Sequence, residues 1–188
     1  MREAGRVVRA VLDEVAAAAQ PGTRTQELDR LAEARTRQRG ARPAFKGYLG
    51  YPASICISVN DEVVHGIPSR RTLQEGDLVG LDFGVVHRGF FGDAAVTVPV
   101  GRVPEAARRL LEVTREALAR GTGPVLEEGL VLAVEPMVNA GRPEVRTLGD
   151  GWTAVTADGS LSAHFEHTIA ITPQGAEILS LPLTRDEA

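Results

Sequence analysis

The ten residues LQEGDLVGLD, Leu73 to Asp82, recur in altered form as LEEGLVLAVE at Leu126 to Glu135, and both copies end on a carboxylate. In each, an acidic-glycine turn feeds an apolar run, so two related acids occupy the same place in two similar strands. An acid that closes an apolar strand must be hydrogen-bonded, ion-paired or metal-bound, because burying a lone carboxylate is costly. The duplication therefore predicts two related halves that share one cation site.

Periodicity supplies the elements around these strands. Val8, Val11, Leu12 and Val15 follow helical spacing from Arg2 to about Gln20, where Pro21-Gly22 stops the run. Thr23-x-x-Gln26 reads as a capping box for a second helix, with Leu28, Leu31 and Ala32 on one face and an end near Gly40. Tyr48 to Pro68 is aromatic and β-branched, which predicts strands and loops. Leu78–Val86 and Phe90–Val98 form a hairpin around His87-Arg88-Gly89. Pro104 opens a third helix, with Ala107, Leu110, Leu111, Thr114 and Leu118 on one face, which ends at Gly121. After Gly121-Thr122-Gly123-Pro124 the second strand copy begins, and its partner is Leu161–Thr172 beyond a turn-rich stretch from Asn139 to Gly159. The expected class is α+β, a mostly antiparallel sheet with covering helices, in one domain over residues 1–188.

With 43% hydrophobic and 24% charged residues, the chain has the balance of a soluble globular protein able to bury a core. Its net charge of -4 and the absence of a basic patch argue against a nucleic-acid partner, and Arg35, Arg37, Arg39 and Arg42 read as a solvated helix end. The single cysteine, Cys56, lies in the apolar run SICISV, where a packed thiol is expected rather than a nucleophile. One cysteine cannot form an internal disulfide, which fits a reducing compartment. No signal-peptide core or membrane-spanning run is present in the sequence, so the expected protein is a cytoplasmic monomer with no membrane partner.

A turn centred between His87 and Arg88 puts Asp82 opposite Asp93, and like charges directly opposed destabilise a strand pair unless a cation bridges them. The structural alternative is that one aspartate sits in a frayed, solvated ladder. Glu135 ends its strand just before Pro136, and Glu166 lies within the apolar SAHFEHTIAI. Together Asp82, Asp93, Glu135 and Glu166 are an oxygen-rich set suited to one divalent ion or a pair. Of the four histidines, His65 in VVHGIP precedes a glycine-proline turn and is placed to reach a substrate, while His87 is expected to face solvent. His164 shares a strand face with Glu166, and His167 points the other way, into the core.

These residues resemble a known family, the methionine aminopeptidases of the first type, with their pseudo-symmetric pita-bread fold. The likeness is carried by GYPASICISVNDEVVHGIP, GDLVGLDFGV, GFFGDAA, VLAVEPMVNAG and RTLGDGWTAVTADGSLSAHFEHTIAIT. The resemblance implies removal of N-terminal methionine from nascent polypeptides by metal-assisted hydrolysis, with a small residue following the methionine. It implies two divalent ions, of Mn, Co, Fe or Mg, held by Asp82, Asp93, Glu135 and Glu166. Glu135 would move the proton, His65 would contact the substrate near the scissile bond, and Phe45, Tyr48, Tyr51 and Trp152 would line the methionine pocket. Ordinary aromatic packing is the alternative for these four, above all for Phe45 and Tyr51.

One departure stands out. Between the helix ending near Gly121 and the strand beginning near Val125, the family carries a further helix, strands and a Gly-His-Gly-Ile-Gly motif, and here four or five residues replace them. The family's one histidine ligand and a second substrate histidine lie in that block. The expected donor set is then carboxylate-only, favouring oxygen-loving ions such as Mn or Mg, and the second half is expected to show uncovered apolar edges. The alternative to an aminopeptidase is a catalytically inactive pita-bread module that binds a peptide or partner.

Overall fold

Val8, Val11, Leu12 and Val15 are fully buried along one side of helix α1 (Arg2–Ala18). The computed structural model of the chain describes residues 1–120 and 126–182, so the expected junction from Gly121 to Val125 lies outside the described residues. Helix α2 (Thr25–Gln38) starts one residue later than the Thr23/Gln26 box predicts: the Glu27 carboxylate accepts the Arg24 N–H at 3.0 Å. Thr23 instead donates its hydroxyl to the Ala18 carbonyl at 3.1 Å, tying the end of α1 to the start of α2. Arg35 and Arg39 both pair with Glu14 of α1, Arg35 at 2.6 Å, and Arg37 pairs with Glu33 at 2.7 Å. The helix end expected to be merely solvated thus clamps the two helices, although partly exposed pairs contribute at most about 1 kcal/mol each.

In chain order there follow β1 (Arg42–Pro43), β2 (Cys56–Val59), β3 (Glu62–Val64), β4 (Leu78–His87) and β5 (Phe90–Pro99), then α3 (Glu105–Ala119). The second half holds β6 (Val131–Val134), β7 (Met137–Asn139), β8 (Val145–Thr147), β9 (Ala154–Thr156), β10 (Ser162–His164), β11 (Glu166–Thr172) and β12 (Gly175–Ile178). The main sheet runs β1-β4-β5-β11-β12, with β2 also paired to β4 and β6 to β11. Two small sheets, β10-β7 and β3-β9-β8, complete the strands, and every pairing is antiparallel.

The β4–β5 register differs from the expected one. His87 pairs with Phe90, so the turn is only Arg88-Gly89, with φ of 49° and 84°. Positive φ at both central residues is the tight hairpin turn whose twist matches the strands, and glycine suits its second place. Gly84 therefore faces Asp93 and Ala95 faces Asp82, which puts the two aspartates diagonal to one another on one face rather than opposed. The expected Leu161–Thr172 strand is also broken at Phe165: β10 joins β7, and β11 joins the main sheet. Phe165 is buried beneath α3, with the Arg115 guanidinium 4.8 Å from its ring centroid.

Helices α1 and α2 bury Val8, Leu12, Val15 and Leu28 against Val79, Leu81, Phe83 and Val85 of β4. Around α3 a second cluster joins Leu110 and Leu111 to Leu78, Ala163 and Phe165. Gly92 lets α1 approach β5, since a Cβ there would lie 2.6 Å from the Ala4 carbonyl carbon. Gly92→Ala should lower stability by roughly 1–3 kcal/mol through overpacking, read as a reduced denaturant midpoint with the slope unchanged.

His87 does not face solvent as expected. Its side chain is 14% exposed, with Nε2 3.3 Å from the Glu3 carboxylate of α1. The second half carries the expected uncovered apolar residues: Leu130, Val131 and Met137 are all exposed, as are Val145 and Ile178. No helix among the described residues is long and apolar enough to cross a membrane.

Candidate metal centre and its cavity

Five side chains converge where the two halves meet. Asp82 lies within β4, Asp93 on β5, Glu166 at the start of β11, His164 at the end of β10, and Glu135 directly after β6. Two threonines fix this junction. The Thr168 hydroxyl accepts the Asp93 N–H at 3.0 Å and donates to the Asp93 carbonyl at 2.7 Å. Thr97 does the same for His164, with both distances 2.8 Å. Both threonines are buried and continue the β5–β11 register beyond its backbone pairs, Glu166 with Ala95 and His167 with Ala94. Sequence reasoning had no reason to single them out, because a strand threonine is ordinary.

The donor atoms form two groups, each spanning no more than 4.8 Å: Asp82, Asp93 and Glu166 in one, Glu135, His164 and Glu166 in the other. Glu166 belongs to both. Burial pushes the Asp82 carboxyl well up, and Asp93 and Glu135 add to this by repulsion. Burial likewise raises Asp93 to about 7 and Glu166 to about 10, with the neighbouring carboxylates contributing. Among the described residues, Asp93 Oδ1 and His164 Nε2 are buried with no hydrogen-bond partner. Orphaned acceptors among crowded acids are what a cation would satisfy, so the residues fit a divalent metal. The centre is not carboxylate-only, as had been expected, because His164 belongs to one group. The His164 imidazole, with Nε2 3.6 Å from Glu135 Oε2, holds Glu135 below the ordinary carboxylate range.

Beside this cluster is a cavity of about 310 Å³ lined by Phe45, Tyr48, Leu49, Tyr51, Cys56, His65, Trp152 and Asp82. All the aromatic residues expected at a substrate pocket are brought together there. Leu49 and Cys56 were not expected, since neither carries a polar signal in sequence. Tyr51 is buried, its hydroxyl 3.0 Å from the Gly66 carbonyl, and its ring meets Trp152 edge-on at 5.1 Å between centroids. Trp152 is held by Asp150, which accepts its N–H at 2.8 Å and that of Thr153 at 2.9 Å. Tyr48 and Leu49 are exposed at the rim. Burial raises the Cys56 thiol well above its usual value, which agrees with a packed and unreactive cysteine.

His65 sits at the cavity wall with its ring centroid 6.3 Å from that of Trp152. Its φ of 60° lies in the left-handed region, a strained conformation for a residue with a Cβ. The strain is held by the next residue: Gly66 accepts the Ile57 N–H at 2.8 Å and donates to the Ser58 hydroxyl at 3.1 Å. A Cβ on Gly66 would lie 2.2 Å from the Ile57 carbonyl oxygen. His167 points away from the centre, its Nδ1 3.0 Å from the buried Ser180 hydroxyl, as its strand position predicts.

The model of metallopeptidase family M24 matches residues 1–122. Methionine aminopeptidase 1 of Bacillus subtilis is 41% identical over 234 aligned positions, covering 96% of this chain and 94% of the relative. The Escherichia coli methionine aminopeptidase is 35% identical, covering 96% of this chain and 90% of its own length. Since 234 aligned positions exceed the chain's 188 residues, at least 46 positions of the Bacillus protein have no counterpart here. Among solved structures, the methionine aminopeptidase of Thermotoga maritima superposes with a TM-score of 0.92 at 38% identity, covering 96% of this chain and 94% of its own. A Xaa-Pro dipeptidase of Bacillus anthracis shares the fold at a TM-score of 0.74 and 18% identity. Identity at the level of the Bacillus and Thermotoga proteins, sustained across nearly the whole chain, makes it a member of metallopeptidase family M24, among the methionine aminopeptidases.

Proposed function

We propose that the chain removes N-terminal methionine from nascent polypeptides by metal-assisted hydrolysis of the first peptide bond, acting where a small residue follows. The observation that carries this reading is the continuity of the aromatic cavity with the carboxylate cluster through Asp82, which serves both. Aromatic walls suit a flexible thioether side chain, whose sulfur makes favourable contacts with ring edges. Asp82, Asp93, Glu135 and Glu166 would hold two divalent ions of Mn, Co, Fe or Mg. When bound, such ions polarise a peptide carbonyl and make water a nucleophile at neutral pH. Glu135 is half-exposed at the centre's edge and carries the proton from water to the leaving amine. His65, at the cavity wall beside Trp152, orients the substrate amide. In this reading the positions lacking a counterpart fall at 121–125, beside the end of the family match.

Release of free methionine from a Met-Ala-Ser peptide, assayed with each of the four metals, tests the reading. Turnover should appear with at least one metal and disappear on chelation. A folded, metal-loaded protein that binds the peptide without cleaving it would instead establish a binding module. Trp152→Ala should raise KM for this peptide about tenfold or more and change kcat less, because it removes one wall of the cavity rather than a reacting group.

A further inference from the structure

Within the group formed by Glu135, His164 and Glu166, one nitrogen is unexplained. His164 is 3% exposed, and its Nε2 is buried with no hydrogen-bond partner among the described residues. A buried imidazole nitrogen without a partner is rare and needs a reason. Glu135 Oε2 is 3.6 Å away, too far for a hydrogen bond. That separation does suit two donors on a common ion, which at about 2.1 Å from the metal and with open angles stand roughly 3.0–3.6 Å apart.

The backbone supports the same conclusion. Thr97 accepts the His164 N–H and donates to its carbonyl, so the residue is fixed at both backbone groups before the side chain meets anything. Phe165, locked beneath α3, fixes the next residue in the chain. A ligand held this way loses little freedom on binding.

We infer that His164 Nε2 is the nitrogen ligand of the ion shared by Glu135 and Glu166, giving one half of the centre an imidazole and leaving the other half, with Asp82 and Asp93, all oxygen. This rests on the reading of the cluster as a divalent-metal centre. It moves the expected selectivity of the mixed half away from Mg and toward borderline ions such as Fe or Co, for which an imidazole is a suitable donor. Thr97 is then a positioning residue that acts through His164.

Pulsed paramagnetic resonance of the full-length protein loaded with Mn(II) tests the assignment, since a directly bound imidazole leaves a nitrogen coupling on the manganese signal. The coupling should be present in the parent, change on selective ¹⁵N-histidine labelling, vanish in His164→Gln and survive in His65→Gln. Calorimetric titration with Mn(II) should show two ions in the parent, with the site of Glu135, His164 and Glu166 weakened in His164→Gln by more than the ~100-fold that an outer-sphere change costs. Thr97→Val should weaken that site by about tenfold and keep the coupling. Two bound ions without nitrogen coupling, or a coupling that survives His164→Gln, would overturn the ligand assignment and leave the metal centre standing. If the folded protein binds no ion at all, the metal centre itself is refuted, and the inference with it.

Discussion

Replacing Glu166 by alanine is expected to strip both ions from the centre and to reduce methionine release by at least about three orders of magnitude. Among the described residues, Glu166 is the one that belongs to both donor groups, so no other single substitution among them reaches both. Asp93→Asn should instead lose the ion of the all-oxygen group and retain the other. Stability moves in the opposite direction. Without metal, burial and three neighbouring carboxylates push Glu166 up to about 10, so at neutral pH the folded chain must keep it protonated, and its replacement removes that cost. Metal-free Glu166→Gln should therefore unfold at a temperature no lower than the metal-free parent, while only the parent gains stability from added Mn(II). A variant that melts well below the metal-free parent would show that Glu166 is structural rather than a ligand.

In chelator, the parent should lose stability as pH rises from 7 to 8.5. The folded-state value of Glu166, about 10, lies far above its ordinary 4.5, so across this window the folded chain holds a proton that the unfolded chain has released. Stability conferred by a raised acid is full below its unfolded value and is lost as pH climbs toward its folded value, at about 1.4 kcal/mol per pH unit per proton. Glu166 alone then costs about 2 kcal/mol over this window, and Asp82, raised in the same direction, adds to it. Asp93, raised to about 7, holds about half its proton where the window opens and adds a smaller loss in the same direction. His65 and His167, lowered by burial, act in the opposite sense but nearer their ordinary value of 6.5, below the window. Denaturant midpoints at the two pH values should fall in the parent, fall less in Glu166→Gln, where Asp82 remains raised, and fall less in the parent once Mn(II) replaces the protons. A parent midpoint that rises with pH in chelator would contradict the crowding of these acids.

The repeated strand with its terminal acid was legible because burial forces a carboxylate to find a partner, and that chemistry shows in the residue string. The repeat points to Asp82 and Glu135, the hairpin to Asp93 and the apolar strand SAHFEHTIAI to Glu166, and the structure gathers all four. Their mutual geometry was less legible. Centring the hairpin between His87 and Arg88 ignored the preference of the tight two-residue turn for glycine at its second place, which puts the centre between Arg88 and Gly89. That shift turned an opposed pair of aspartates into a diagonal one. The start of α2 is ambiguous in the sequence for a related reason: Gln26 and Glu27 both suit a capping box, and only the three-dimensional path of the chain selects Glu27.

His164 was placed on the Glu166 face by simple alternation, yet the strand breaks between them at Phe165, and the two side chains meet across two different sheets. The threonines that fix Asp93 and His164 act through hydroxyls bonded across 75 and 67 residues, a pairing that no local pattern contains. The cavity was legible in its aromatic residues and not in Leu49 or Cys56, whose part in it depends on where the loop before β2 returns.

Anomalous diffraction at the manganese edge, from crystals grown with saturating Mn(II), tests the central claim most directly. Two peaks are predicted, one among Asp82, Asp93 and Glu166 and the other among Glu135, His164 and Glu166. A folded chain showing no peak, or a single peak that leaves either group without metal, would contradict it.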